Sequence, residues 1–419
     1  MKLSIIKILL LGLIFRLILA FVVWHPDLNN HVDWGIRFFE YGPKMFYAPG
    51  SNVWSYTWPN QPPGTILIFA GIYQLYLLLF SIVWWVNTHI SFFPSTVMPF
   101  FEHNFYQGLL KLPSIFADLG IAYLIFKILA DAKKFKLAKL GAIFFLANPV
   151  IWYNSSVWGQ TDSVVNFLAL GSLYLLLRKN LFFSVILLAT SIYIKFSLSI
   201  FIPLFLIITI KQRYRLKDYI GSIAFSIIIF SSITILFSGN QSPFAWLYEI
   251  YTKKVLTNQL QVITANAFNI WTTVATINER PHSLPFLGLT YQMWGNVLFL
   301  LSYIPLLTLL WKDKKLENVY WIFALVAFSS WMFLTNMHER YLYPLFPYFT
   351  ILAIQYKRLR PIYWLVSGIN WLNLYNFWFV PFVKPIVWVM EFGERIITRI
   401  LGLVNFGLFG YLYFKFIKR

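Results

Sequence analysis

Four short stretches of this 419-residue chain carry side chains able to do chemistry beside apolar segments. The first runs WHPDLNNHVDWGIRFFEYGPKMFY from Trp24 and holds two acids, Asp27 and Asp33, with His25 and His31 beside them. The others are NSSVWGQTDS (Asn154 to Ser163), IYIKFSLSIFIP (Ile192 to Pro203) and NMHERYLYP (Asn336 to Pro344). A carboxylate held partly out of water among aromatic residues has its pKa raised toward the range of a general base. Asp27 is the first candidate for that role and Asp33 the second. Each also has a plain structural reading, Asp27 as the N-cap of an amphipathic helix with Leu28, Val32, Ile36 and Phe39 at helical spacing, Asp33 on that helix's polar face. An amide and a carboxylate beside an indole match the hydroxyls of a sugar, which gives Trp158, Gln160 and Asp162 a binding role. Their bland reading is an aromatic belt with an Asp N-cap. Lys195 and Arg340, with His338, suit an anionic phosphate, whereas a lone Lys195 also fits simple snorkelling to an interface. His338-Glu339-Arg340 lacks the second His of a zinc-binding H-E-x-x-H helix, so no metal site is expected.

The elements that position these residues follow from composition. The chain is 59% hydrophobic, 21% aromatic and only 12% charged, and apolar runs of membrane-spanning length recur along it. That defines an all-α polytopic membrane protein. It has no cysteine, which excludes disulfides and thiolate metal sites. Residues 1–24 read as an uncleaved first span, since no small-residue cleavage site follows. Later spans are expected near 108–129, 138–153, 163–178, 181–194, 196–210, 219–238, 287–311, 319–335, 341–356, 361–381 and 398–415, about twelve in all. The apolar segment Gly64 to Trp85 is set apart as a juxtamembrane or re-entrant helix, its QPPG start turning the chain sharply.

With both termini cytoplasmic, this pattern places nearly all of the +19 net charge on one face, in loops such as DAKKFKLAK and KQRYRLKD. That is the positive-inside distribution and not a nucleic-acid patch. If Gly64–Trp85 crossed, the DAKKFKLAK loop would change sides and the bias would collapse. Asp27, Asp33, Asp162, Lys195, His338, Glu339 and Arg340 then share the outer face, and polar groups converging there suggest a site. Arg16 and Asp118 fall inside spans, where an unpaired charge is costly, so they are expected to pair and fix the first span against the one starting near 108. The organisation is a single transmembrane domain. It comprises a first span (1–24), an outer loop with juxtamembrane helices (25–107), a helical module (108–238), a second outer loop (239–286) and C-terminal helices (287–419). In the second loop Asn266, Asn269 and Trp271 are expected to wall part of a cleft.

These residues resemble a family. The chain is similar to GT-C-fold glycosyltransferases that use a lipid-phosphate sugar, in particular bacterial proteins related to the second GPI-anchor mannosyltransferase. The matching parts are Asp27 with Trp34 seven residues on, Pro62 to Gly64, KLPSIFADL (Lys111 to Leu119) and NPVIWYNSSVWGQTDS. The Lys195 junction ending at Pro203, NAFNIW (Asn266 to Trp271) and HERYLYP (His338 to Pro344) complete the set. They span most of the chain, and WGQTD with HERYLYP is the specific pair. Asn60 and Gln61 stand where Asp-Tyr is usual before the PPG. The resemblance implies an inverting transferase that moves a hexose, mannose above all, from a polyprenyl- or dolichyl-phosphate-sugar to a hydroxyl acceptor, lipid-linked or protein, at the outer face of a bacterial cell membrane. It implies Asp27 as the base, Lys195, Arg340 and His338 at the donor phosphate, and neither cofactor nor metal. The rival expectation is a polytopic transporter, or a flippase or polymerase of lipid-linked glycans. A transporter would place its charges near the membrane midplane on broken helices in two repeated halves, and no repeat of WGQTD or HERYLYP is present.

Overall fold

The computed structural model describes residues 3–48, 59–255, 260–277, 280–313, 316 and 318–418, with only the backbone of Lys254. The protein is an all-α polytopic membrane protein. Apart from one short hairpin, Pro285–Phe286 with Leu289–Thr290, the described secondary structure is helical. The first part of the bundle comprises α1 (Ile5–Val22), α2 (Leu28–Phe46), α3 (Pro63–His89), α4 (Met98–His103), α5 (Phe105–Leu110), α6 (Leu112–Asp131) and α7 (Phe135–Ala147). There follow α8 (Pro149–Trp152), α9 (Asp162–Leu177), α10 (Leu181–Ile194), α11 (Ile202–Gln212), α12 (Leu216–Ser238), α13 (Pro243–Ile250) and α14 (Ile270–Ala275). The remainder is α15 (Tyr291–Lys312), α16 (Val319–Phe333), α17 (Leu345–Gln355), α18 (Arg360–Tyr375) and α19 (Lys384–Ile417).

The helices fall where the apolar runs place them, but their lengths revise the span estimate. Among the described residues six helices are long and apolar enough to cross a membrane, seven if the bent pair Phe135–Ala147 and Pro149–Trp158 counts as one. The α9 and α10 helices hold 16 and 14 residues. At 1.5 Å per residue they reach about 24 and 21 Å, short of a hydrocarbon core about 30 Å thick. Pro63–His89 is one continuous 27-residue helix, long and apolar enough to be counted among the six. Its first turn packs on α10, where the Thr65 hydroxyl donates to the Ile194 carbonyl at 2.5 Å, and a Cβ on Gly64 would come within 2.8 Å of the Tyr193 carbonyl oxygen. The chain returns to the same end of the bundle at Lys111, whose ammonium donates to the last carbonyls of α1, Ala20 at 3.1 Å and Val23 at 2.5 Å. A cation on the open carbonyls of a helix C-terminus is favourable, so this contact fastens α1 to the start of α6.

Polarity divides the two ends. At one end Asp131 is bonded by Arg178 and by the Tyr174 hydroxyl, and Lys211 donates to the Trp311 carbonyl. The turns there carry Lys133, Lys134, Lys136, Lys179, Arg213, Lys217 and Arg358. At the other end the C-terminus of α1, the start of α2, the start of α9 and the segment after α16 meet. Between the two ends, Arg16 of α1 and Asp118 of α6 form a fully buried ion pair at 3.0 Å. Asp118 also accepts from the hydroxyls of Ser155 (2.6 Å), Ser163 (2.7 Å) and Tyr343 (2.8 Å), while Arg16 donates to the Leu146 carbonyl. Burying two charges is tolerated here because nearly every lone pair and proton finds a partner.

Candidate active site

The non-basic end encloses a cavity of about 550 Å³. That is large enough for a ligand of two or three ring systems. Asp27 stands on its wall at the head of α2. It occupies the N-cap position, yet its backbone is helical and its side chain makes no capping bond. The carboxylate instead accepts from Trp158 Nε1 (3.0 Å), Gln160 Nε2 (2.8 Å) and Asn30 Nδ2 (3.0 Å). Gln160 and Trp158 reach it because the chain after α8 winds into a wide turn from Tyr153 to Trp158 that Gly159 closes at φ +81°. A Cβ at Gly159 would meet the Leu28 side chain at 2.7 Å and Lys111 Cγ at 3.0 Å, so this position needs glycine on both conformational and packing grounds.

The charge on Asp27 differs from the sequence-based expectation. Burial does push its pKa up, as expected. The Arg340 guanidinium, His31 and the Trp158 N–H outweigh it, and the net shift is downward. Asp27 is therefore a firmly ionised carboxylate. Burial lowers His25 to about 3 and His31 to about 4, and takes His338 well below the ordinary histidine value, so all three rings are neutral near pH 7. Burial raises Glu339, with the neighbouring Arg340 opposing it.

Arg340 also lines the cavity. Its Nη1 donates to Glu339 at 3.0 Å, and the guanidinium lies 5.4 Å from the ring centres of both Trp158 and Tyr341. Its Nε is buried and makes no bond among the described residues. Stacked between rings, the planar fork keeps N–H groups available to an anion. The loop 260–269 forms the facing wall, pinned to the segment after α16 by Ala265 N bonding the Met337 carbonyl (3.0 Å). Leu260, Val262, Thr264, Ala265 and Asn266 all face the cavity.

The other sequence-derived candidates divide between the cavity and the structure around it. Asp33 is held by Arg37 at 2.7 Å, one turn along α2, and is not on the cavity. Asp162 and Lys195 form a buried pair at 2.7 Å behind the wall, with the ammonium 5.3 Å from the Tyr341 ring centre. Neither borders the cavity. Trp158 is fully buried and donates to Asp27; Gln160 donates to Asp27 too and also lines the cavity. Asn269 caps α14 by accepting from Trp271 N (3.1 Å) and donates to the Trp331 carbonyl (3.0 Å), a loop-fixing role away from the cavity. Asn266 borders it, but its amide is engaged with Asn376. His338 and Arg340 are the predicted phosphate-holding groups that face the cavity.

Several lining residues went unassigned in the sequence. Asn30 and His31 follow Asp27 within one turn, and His31 at i+4 shares its helical face, a spacing that marks both. Asn60 and Gln61 precede the PPG turn. Trp378 and Arg395 come from the C-terminal region, where no motif pointed to them. Arg395 reaches the cavity at a break in α19, where residues 393–395 all take positive φ. No protein-family model matches the chain, and no curated protein matches it either.

Proposed function

We propose that the protein is a GT-C-type glycosyltransferase that takes a hexose, mannose above all, from a polyprenyl-phosphate-sugar and delivers it to a hydroxyl acceptor. The observation that carries this reading is that Asp27 and Arg340 share one cavity at the end of an apolar bundle. A lipid-borne donor brings its phosphate to such a place from the bilayer. The acceptor oxygen attacks the anomeric carbon as the bond to the phosphate oxygen breaks, and the configuration inverts. Asp27 takes the acceptor's proton. Its low pKa suits a step in which the proton leaves late, once the oxygen has become acidic through bonding to carbon. The lipid phosphate departs as an anion beside Arg340 and Arg395, with the neutral His338 ring able to donate one hydrogen bond. Fixed cations where charge develops lower the barrier.

Under the same reading the cavity lies on the outer face, both termini are cytoplasmic and the short helices α9 and α10 cross as part of a span set approaching twelve, with local thinning or cover by neighbours. Nearly all the surplus cations lie at the opposite end, which supports that orientation. The Arg16–Asp118 pair supports a fixed scaffold over a transporter gate, since its four-donor network leaves no vacant partner to switch to. The test is transfer of radiolabelled mannose from polyprenyl-phosphate-mannose in membranes, wild type against Asp27→Asn at matched expression. Transfer by wild type that the variant loses supports the reading. Absence of transfer with every lipid-phosphate hexose tried overturns it.

A further inference from the structure

A second cavity, about 630 Å³, opens at the basic end, far from the site above. It lies between the α9–α10 turn and the start of α12. Arg178, Lys179, Asn180 and Tyr214 border it on one side, Lys217, Asp218 and Ser222 on the other, with Leu181 and Phe182 from the first turn of α10. The local acids are already engaged. Asp131 accepts from Arg178 and Tyr174, and Asp218 caps its own helix by accepting from Arg215 N at 3.3 Å. Lys179 and Lys217 make no ion pair among the described residues, so the cavity keeps a net positive charge. The α10 N-terminus adds to it, since Asn180 caps only the Phe183 amide and the helix is 14 residues long.

Immediately beyond the cavity the surface turns apolar. Phe182 and Phe225 touch at 5.2 Å, and Phe183, Leu216, Ile220, Ile223 and Phe225 are all exposed along α10 and α12. A cationic pocket that gives directly onto a lipid-facing groove has the two-part chemistry of an amphiphilic anion. We infer that this cavity binds the headgroup of an anionic phospholipid, the phosphate between Lys179 and Lys217 and the acyl chains along the Phe182–Phe225 groove. A soluble phosphate offers the same charge but leaves the groove unused, which separates the two sources. The bound lipid adds to the contact between the α9–α10 hairpin and α12, where Leu181, Ser184 and Ser222 are already buried.

The test uses the full-length protein purified in detergent, with native mass spectrometry and thermal unfolding during titration with phosphatidylglycerol, phosphatidylcholine and glycerol phosphate. Wild type should retain one phosphatidylglycerol selectively and gain thermal stability from it. Lys179→Gln with Lys217→Gln should weaken that binding roughly thirtyfold, from the attraction of two basic residues at a membrane surface. Both lysines are exposed, so the variant folds. The control Lys134→Gln with Lys136→Gln, elsewhere at the same end, should leave it within about threefold. Equal losses in the two double variants would show diffuse surface charge and overturn the site. So would equal retention of phosphatidylcholine, or glycerol phosphate binding as tightly as the lipid.

Discussion

Gln160 donates its side-chain amide to Asp27 at 2.8 Å across a separation of 133 residues. With the Trp158 N–H on the same carboxylate oxygen, it aims the acid into the cavity instead of letting it cap α2. Trp158 and Gln160 of the WGQTD sequence thus act on Asp27, while its Asp162 pairs with Lys195. If so, Gln160→Ala should leave the protein folded and donor KM little changed while lowering kcat for sugar transfer about tenfold or more, since one of the three bonds that orient the carboxylate is lost. Steady-state kinetics decide it. A rise in KM at constant kcat would instead return Gln160 to sugar binding.

Asp27→Asn removes the proton acceptor and keeps the shape; its amide oxygen can still accept from Trp158 and Gln160, while its NH2 cannot accept from Asn30. Transfer should fall by about 10²–10⁴-fold, the usual worth of general-base help. Asp33→Asn should stay within about threefold of wild type, because Asp33 serves Arg37 on the far side of the helix. An inactive Asp33 variant beside an active Asp27 variant would exchange their roles. The lowered pKa of Asp27 also means that its titration puts no acidic limb on the rate profile above pH ~5.

Acid should nevertheless weaken the fold. His31 titrates near 4 in the folded protein against 6.5 ordinarily, because burial outweighs the attraction of Asp27. Between those values the unfolded chain takes up a proton that the folded chain refuses. Stability is therefore full above pH ~6.5 and falls as the pH drops toward 4, by roughly 3 kcal/mol for this ring. His25, with its pKa brought to about 3 by burial, acts in the same direction. Thermal unfolding of wild type and His31→Gln at pH 7 and pH 5 checks the point, the variant losing less on acidification. Identical pH dependence in the two proteins would refute it.

Asp118→Asn leaves the Arg16 guanidinium buried against an uncharged amide. Breaking a buried pair from one side costs about 3–5 kcal/mol, so this variant should be strongly destabilised and poorly expressed. Arg16→Leu combined with Asp118→Leu removes both charges and should recover part of the loss. Unfolding of purified variants in one detergent measures both, and an unchanged Asp118→Asn midpoint would mean that the pair carries no structural load.

What could be read before the fold was known follows from the range of each interaction. Helix positions were legible because apolar length and flanking charge are local properties, and the segments expected from residue 108 onward all reappear as helices. Helix length at α9 and α10 was not, since an apolar stretch reads alike whether it crosses a bilayer or packs inside a bundle. The inward face of α2 was misread for a related reason. Phe39 fits the apolar period but is exposed, while His31 and Trp34 are buried, because a helix at an interface has apolar neighbours on both sides. The Arg16–Asp118 pair was foreseeable from the cost of isolated charges. Arg395 was not, since its approach depends on a backbone break in α19 that no motif announces.

Lys195 is where sequence and geometry differ most over a role, and a double-mutant cycle separates the two. As a phosphate-holding cation, Lys195 would face the donor. In the structure it is buried against Asp162 at 2.7 Å, off the cavity, with Tyr341 between it and the open space. Removing either partner strands the other charge, so Lys195→Met and Asp162→Asn should each cost several kcal/mol of stability and lose transfer for that reason alone (~3–5 kcal/mol). Combining them removes both charges. If the pair only supports the wall that carries Tyr341, the double variant regains both stability and most of the transfer rate. If Lys195 holds the phosphate, stability returns and transfer does not. The geometry favours the first outcome. Arg340 supplies the contrast, because it faces the cavity with an unbonded Nε. Arg340→Lys keeps the charge but loses the stacked fork, and should lower transfer at least tenfold with no second-site partner to restore it.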